Sequence, residues 1–513
     1  MGTRLAAATL GLLGVALIGR GAPVEAAQGA SRPGTRSTLA AAAGREIAQS
    51  ARPLPSAAER ISQRLGELEA MPPSAVAGPS AALAAAVAEA RAGLGPAAQL
   101  GVHVRELGSN TTLLDDGGEL ALNPASNHKL LTAIAALELL GPAYRFETRV
   151  ALDGDALVLQ GSGDPSLQTE DLQRLAEAVA AQIDLAVVRR IVVDDGMFSD
   201  ERFGPGYDPG GPGFSYLAPS GALSLQWNTV EVTLAAHHGA VEVFVDPPCA
   251  HVVVENHARI GRGEPDVTTQ ADGGHTRVRV DGQLRRGSVR TIRRRVADPG
   301  RFAAAVFAAA LGRPELPIAR GRLEADALPL GEHHSPPLAE VLHSALKFSN
   351  NVTTEQLLRT LGHLASGRPG DWHNGTAVLR TFWAALGRDP AEIVFENASG
   401  YSSVGRVSAR ALADLLAWSQ RPGSRSGAVA AAMAVAGVDG TLRDRLREAP
   451  GRVFAKTGTL SGANALSGLV ADEAGTPRLA FSVLLNGPVT GHTAHALQDR
   501  LVRALLPHAV ASR

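Results

Sequence analysis

Between Pro124 and the pair Gly141-Pro142 the chain places Leu130, Leu131, Ile134, Leu137 and Leu140 at three- and four-residue spacing. This pattern predicts a buried helix over residues 126–140, started by Pro124 and stopped by Gly-Pro. A helix of this kind must lie inside a large body, yet its first turn carries a serine and a lysine. Ser126 and Lys129 stand three residues apart and so share one face of the helix. The fold is therefore constrained to open a cleft at this helix end.

Two further polar segments fit the same cleft. Ser349-Asn350-Asn351 falls between helical patterns at 338–346 and 353–364, so its side chains can face a cavity from a helix-to-helix connection. Lys456-Thr457-Gly458-Thr459 continues a strand pattern that begins at Val453. A serine hydroxyl needs a base, and a lysine serves as one only when its neutral form is populated. Burial and a second cation, Lys456, both push the Lys129 amine that way. Ser126 is thus expected to be the nucleophile and Lys129 its base. Ser349 would relay a proton to the leaving amine, and the amide of Asn351 would hold a substrate carbonyl and keep Lys129 in place. Lys456 and the Thr457 hydroxyl would bind a carboxylate. The backbone N–H groups of Ser126 and Thr459 would receive the oxyanion, with Gly458 allowing close approach. Asn350 takes the variable middle position. Each segment alone has a bland reading: a surface helix turn, a cap or a strand-end turn. Their order and contexts give the joint reading its weight.

The rest of the chain sets bounds. At 513 residues it exceeds what one hydrophobic core organises. The 49 Lys and Arg against 50 Asp and Glu leave a net charge of −1, which supplies no long-range field for nucleic acid or an anionic membrane. Cys249 is the single cysteine, so neither an internal disulfide nor a thiolate metal cluster is available, and a lipoprotein anchor is not expected. Arg4, the apolar run from Leu5 to Ile18 and the small residues near Ala26-Ala27 read as a secretory signal over 1–26. An uncleaved anchor is the alternative, disfavoured because the run falls short of the ~20 residues of a span. Residues 27–79 read as a low-complexity tether with one helix-like stretch, 56–71. The folded body is expected from about 80. Short β-like runs at 188–193, 230–234, 241–245 and 276–280 mark residues 151–325 as a β-rich insert. A strand at 453–456, a hairpin of 465–470 and 479–485, and a helix at 492–506 complete the C-terminal part.

With these segments in place, the chain resembles the class C low-molecular-mass penicillin-binding proteins, the D-alanyl-D-alanine carboxypeptidase/endopeptidases. The wording extends to Leu122-Asn123-Pro124-Ala125-Ser126, Tyr144-Arg145-Phe146-Glu147-Thr148, Gly161-Ser162-Gly163-Asp164-Pro165-Ser166-Leu167, Ser335-Pro336-Pro337-Leu338 and Gly437-Val438-Asp439-Gly440-Thr441-Leu442. It covers roughly residues 80–510. The resemblance implies an α/β, penicillin-recognising core, an antiparallel sheet flanked by helices, built from 80–150 plus 326–513. It accounts for the separation of 223 positions from Ser126 to Ser349 by the large insert of that family. It also implies that Asp194 and Phe198 meet the stem peptide. One stretch departs: where the family has Asp-Gly-Ser-Gly-Leu-Ser-Arg, this chain has Asn397-Ala398-Ser399-Gly400-Tyr401-Ser402-Ser403. An acid and an arginine are lost there, and Arg406 is the candidate substitute.

The resulting expectation is an exported serine-type D-Ala-D-Ala carboxypeptidase or DD-endopeptidase of the periplasm or cell envelope. It would act on peptidoglycan stem peptides through an acyl-Ser126 intermediate, with β-lactams as covalent inhibitors and no cofactor, metal or nucleic acid. An esterase or D-aminopeptidase on the same fold, or a silent cell-wall binding protein, stays open. His492 and His495 have the spacing of a metal pair but lack an acidic companion. Gly161-Ser162-Gly163-Asp164 reads as a turn between strands, and Arg285, Arg286, Arg290 and Arg293-Arg294-Arg295 as a solvated basic face.

Overall fold

Strand alternation explains the central sheet. In the computed structural model, which describes residues 55–510, Ala465 and Leu469 of the strand Ala463–Ala471 join one core while Leu466 and Val470 join another. The same split runs along Pro477–Asn486, where Ala480 and Leu484 face one way and Leu479, Phe481, Val483 and Leu485 the other. Side chains of period two that are apolar on both faces require cover on both faces. Helix Lys129–Leu140 lies in one layer with Leu338–Lys347, Asn351–Ser366, Trp372–Ala385 and Ala409–Ser419, and Ala81–Ala92 and Gly491–Leu505 form the other. The sheet has seven strands, ordered Ala75–Val76, Thr111–Asp116, Gln99–Glu106, Pro477–Asn486, Ala463–Ala471, Val453–Leu460 and Ala434–Val435. All pairings are antiparallel except that of the short first strand.

The insert folds around its own core. A five-stranded sheet begins with Glu147–Asp153 and closes with Leu328–His334 paired against it, so the insert reaches a few residues beyond 151–325 on each side. Two smaller sheets, of three and four strands, use the runs expected at 230–234, 241–245 and 276–280. Two helices, Thr169–Ala180 and Pro299–Ala310, fill the core with Leu172, Leu175, Val179, Phe302 and Phe307. Gly161 to Asp164 therefore leads from a strand into a helix, not between two strands.

Upstream of residue 80, part of the stretch read as a tether is packed. Helix Ala57–Glu67 is capped by Ser56, buries Ile61 and sends Arg64 to the fully buried Glu138, Nη2 to Oε2 2.6 Å. The signal at 1–26 lies outside the described residues. No helix among the described residues is long and apolar enough to cross a membrane.

Candidate active site

The chain turns sharply into the Ser126 helix. Ala125 takes φ 47°, the left-handed region, and Ala125–His128 forms a tight 3-10 turn before the α-helix Lys129–Leu140 begins. A single α-helix from Ser126 was expected; the corner is instead pulled in by side chains. Asn123 Oδ1 accepts from the Ala125 N–H at 2.8 Å, and Asn123 Nδ2 donates to the Ser402 carbonyl at 2.8 Å. The Asn127 amide lies 2.7 Å from both Ser467 Oγ and the Lys456 carbonyl oxygen, tying the turn to the strand Val453–Leu460. That strand passes so close that a Cβ on Gly458 would sit 2.7 Å from the Pro124 carbonyl oxygen and 3.1 Å from the Ser126 nitrogen. Ser126 remains partly exposed in an otherwise buried corner.

Lys129 is fully buried. Its Nζ donates to Ser126 Oγ at 3.0 Å, to Asn351 Oδ1 at 2.7 Å and to the Ser399 carbonyl at 2.8 Å. Desolvation pulls this amine down to about 7, against a pull upward from Glu355. Lys456 is equally buried and donates to Ser349 Oγ at 2.9 Å and to the Thr457 carbonyl at 2.6 Å. Burial, with the charge of Lys129, drives it well below the ordinary lysine range. Two buried amines of this kind disfavour a second proton. The arrangement can therefore hold a neutral amine against a serine hydroxyl near neutral pH, the requirement for a lysine base.

Ser349 has φ 60°, and Asn350 caps helix Asn351–Ser366 by accepting from the Thr353 N–H at 3.1 Å. Asn351 spends one amide hydrogen on the Tyr216 carbonyl, 2.7 Å away in the insert. Thr457 Oγ1 donates to Thr441 Oγ1 at 2.9 Å, which draws the 437–442 segment to the site. The structure thus brings Ser126, Lys129, Ser349, Asn351, Lys456 and Gly458 together, with Thr457 and Thr459 beside them on the strand. Sequence reasoning missed the carbonyls of Ser399 and Tyr216 and the Thr441 hydroxyl. Only Thr441, inside a family-like segment, carried any signal.

Asp194 and Phe198 lie in the insert. Asp194 is 4% exposed and its carboxylate accepts from Gln160 Nε2 at 2.7 Å and from the backbone N–H groups of Leu323 and Gly196. These bonds join three segments of the insert. Phe198 is buried with its ring against the Arg359 guanidinium, 4.6 Å from the ring centroid, and packs the insert onto helix Asn351–Ser366. Arg406 is exposed. Its Nη1 donates to the Ser403 and Gly405 carbonyls, and it lines a cavity with Tyr401, Ser403, Leu460 and Gly462 beyond the end of the strand that carries Thr459. His128 is buried against Phe395, its rings 4.8 Å apart, and burial lowers it to about 3. His492 and His495 sit exposed on helix Gly491–Leu505.

Comparison with known proteins adds to this geometry. Residues 81–506 match the model of the D-Ala-D-Ala carboxypeptidase 3 (S13) family. A D-alanyl-D-alanine carboxypeptidase of Actinomadura sp. (strain R39) is 34% identical over 429 residues, covering 77% of this chain and 78% of the relative. Penicillin binding protein 4 (dacB) from Haemophilus influenzae superposes with a TM-score of 0.69 at 22% identity, over 82% of this chain and 98% of that one. The same protein complexed with a novel beta-lactam superposes at 0.64, with 21% identity and the same coverage.

Proposed function

We propose how this chain, which belongs to the D-Ala-D-Ala carboxypeptidase 3 (S13) family and is a serine-type D-Ala-D-Ala carboxypeptidase, uses the cleft around Ser126. The observation that carries the reading is the buried Lys129 Nζ 3.0 Å from Ser126 Oγ. Lys129 takes the hydroxyl proton as Ser126 Oγ attacks the carbonyl carbon of the penultimate D-Ala. The backbone N–H groups of Ser126 and Thr459 receive the oxyanion. The C–N bond then breaks, the leaving amine gains a proton through Ser349, and terminal D-Ala departs. Water attacks the acyl-Ser126 ester and regenerates the hydroxyl.

Lys456 and Thr457 bind the terminal carboxylate. An anion brought to a buried amine favours its charged form, so the substrate itself restores the charge on Lys456. That charge in turn keeps Lys129 neutral and competent as a base. Asn351 holds Lys129 through Oδ1 and keeps one amide hydrogen for a substrate carbonyl. Arg406 stands where it can meet the far part of the peptide.

The substrates are peptidoglycan stem peptides, and their D-amino-acid cross-links are a further target. β-Lactams acylate the same serine, in keeping with the complex of the Haemophilus influenzae relative. Export to the cell envelope follows from a wall substrate and the signal-like residues 1–26. Labelled penicillin is expected to add the mass of one drug molecule per chain to the protein, and none to Ser126→Ala. Mass spectrometry of muropeptides should show loss of D-Ala with the unmodified chain alone. Equal labelling of both proteins, or wall binding without acylation, would overturn the reading.

A further inference from the structure

Four residues after Asn351, on the same helix, lies Glu355, 2% exposed. Its carboxylate accepts four hydrogen bonds from three parts of the chain. Oε1 takes the Ser399 N–H at 2.9 Å and the Tyr207 hydroxyl at 3.2 Å; Oε2 takes Trp372 Nε1 at 2.8 Å and the Ala398 N–H at 3.1 Å. Four donors and no acceptor around two oxygens suit a carboxylate ion. Burying such an ion is costly unless it is saturated in this way. The two backbone donors belong to the loop whose next group, the Ser399 carbonyl, accepts from Lys129 Nζ.

We infer that Glu355 is a positioning residue for the acylation step. It clamps the 398–399 amides so that the Ser399 carbonyl fixes the Lys129 amine, and it sets an anion behind that amine. Gly400, at φ +73°, continues the loop directly over the Ala125 carbonyl, where a side chain has no room, so the clamp leaves the loop one path. Through Tyr207 the clamp also reaches the insert.

The charged groups facing Glu355 are Lys129, across the loop, and Arg359, one turn further along its own helix; Tyr207 faces it from the insert. Asp371, at the start of the Trp372 helix, faces Arg359, and Lys129 in turn faces Lys456 and His128. For the Lys129 amine, desolvation favours the neutral form and the Glu355 charge opposes it. Removing that charge leaves desolvation unopposed, so the amine stays neutral to lower pH.

The inference rests on Lys129 as the base, and the test separates the two. Acylation by a chromogenic cephalosporin is followed across pH for the full chain. If Lys129→Ala acylates at the unmodified rate, the base assignment fails whatever Glu355 does. With that assignment standing, Glu355→Gln is expected to move the acidic limb of the profile down by about one pH unit. Glu355→Asp keeps the charge, so its limb stays, but it withdraws the clamp and slows the plateau rate by about tenfold. A Gln variant that melts earlier with its limb unmoved would reduce Glu355 to a structural role and overturn the inference. Should the Gln variant not fold, the Asp variant decides alone: a slower plateau with an unmoved limb supports the clamp, and an unchanged rate refutes it.

Discussion

Replacing Gly458 by alanine tests the geometry of the cleft with one methyl group. The added Cβ would lie 2.7 Å from the Pro124 carbonyl oxygen, 3.1 Å from the Ser126 nitrogen and 3.2 Å from Ala125 Cβ. Carbon-to-oxygen contacts ordinarily settle at roughly 3.3–3.6 Å, so the strand must retreat by about 0.6–0.9 Å. Side chains cannot absorb this, because two of the three contacts are backbone atoms of a corner tied down by Asn123 and Asn127. Retreat pulls the Thr459 N–H away from the oxyanion that the Ser126 N–H still holds. A displacement near 1 Å costs about 100-fold in rate, or ~2.7 kcal/mol of barrier, the scale of losing one oxyanion donor. The second-order rate of acylation by a fluorescent penicillin should fall by about that factor. Alanine is the better strand residue by roughly 0.5–1 kcal/mol, so the loss should not come from a collapse in thermal stability. A Gly458→Ala protein that acylates within about threefold of the unmodified rate would refute the proposed pairing of the two N–H groups.

Two other outcomes follow from the same coordinates. With burial holding Lys129 near 7, the protonated amine cannot accept the Ser126 proton; acylation should fall about tenfold for each pH unit below 7 and level off above it, and a pH–rate profile flat from pH 5 to 8 would contradict the base assignment. A chain begun at residue 80 loses Ile61 from the core and the Arg64 partner of Glu138. Leaving that carboxylate to Ser424, Ser426 and the more distant Arg421, 3.9 Å away, should cost about 1.5–3 kcal/mol, read as a lower urea midpoint than that of a chain begun at residue 55; equal midpoints would show that the early helix is dispensable.

What was legible in the sequence was what repeats locally or sits in a short pattern. The buried helix after Ser126 and the C-terminal hairpin follow from apolar periodicity, and the three polar segments could be read as chemistry because their spacing sets which side chains share a face. The helix Pro299–Ala310 was equally readable: Asp298 caps it, accepting from the Arg301 N–H at 3.1 Å, and Pro299 takes its first turn. Its Ala-rich sequence simply lay among β-like runs. Asn350 looked like a variable position and is the cap of its helix. Asp194 shows how far local sequence reaches. The surroundings of the Asp194 carboxylate are only partly local: Gly196 is two residues away, whereas Gln160 and Leu323 lie 34 and 129 residues away in the chain. The 397–403 stretch shows the same limit. Its departure from the family pattern was visible, but its contribution to Lys129 is a backbone carbonyl, which any residue type supplies.

Four side chains of one helix, Asn351–Ser366, make polar contacts from the core to the insert. Asn351 donates to the Tyr216 carbonyl and Glu355 accepts from Tyr207. Gln356 Nε2 donates to the carbonyls of Gly163 and Gly221, and Arg359 to that of Ser199 at 2.8 Å while stacking between Phe198 and Trp372. Without the insert each of these buried side chains loses a partner and meets water instead, a net loss of roughly 0.5–1.5 kcal/mol per hydrogen bond. The first residue of this helix also holds Lys129 at 2.7 Å. A shift of the insert would therefore reach Lys129 by moving this helix. The insert is in this sense part of what fixes Lys129, through the Tyr216 carbonyl, the Asn351 amide and the Lys129 amine in series.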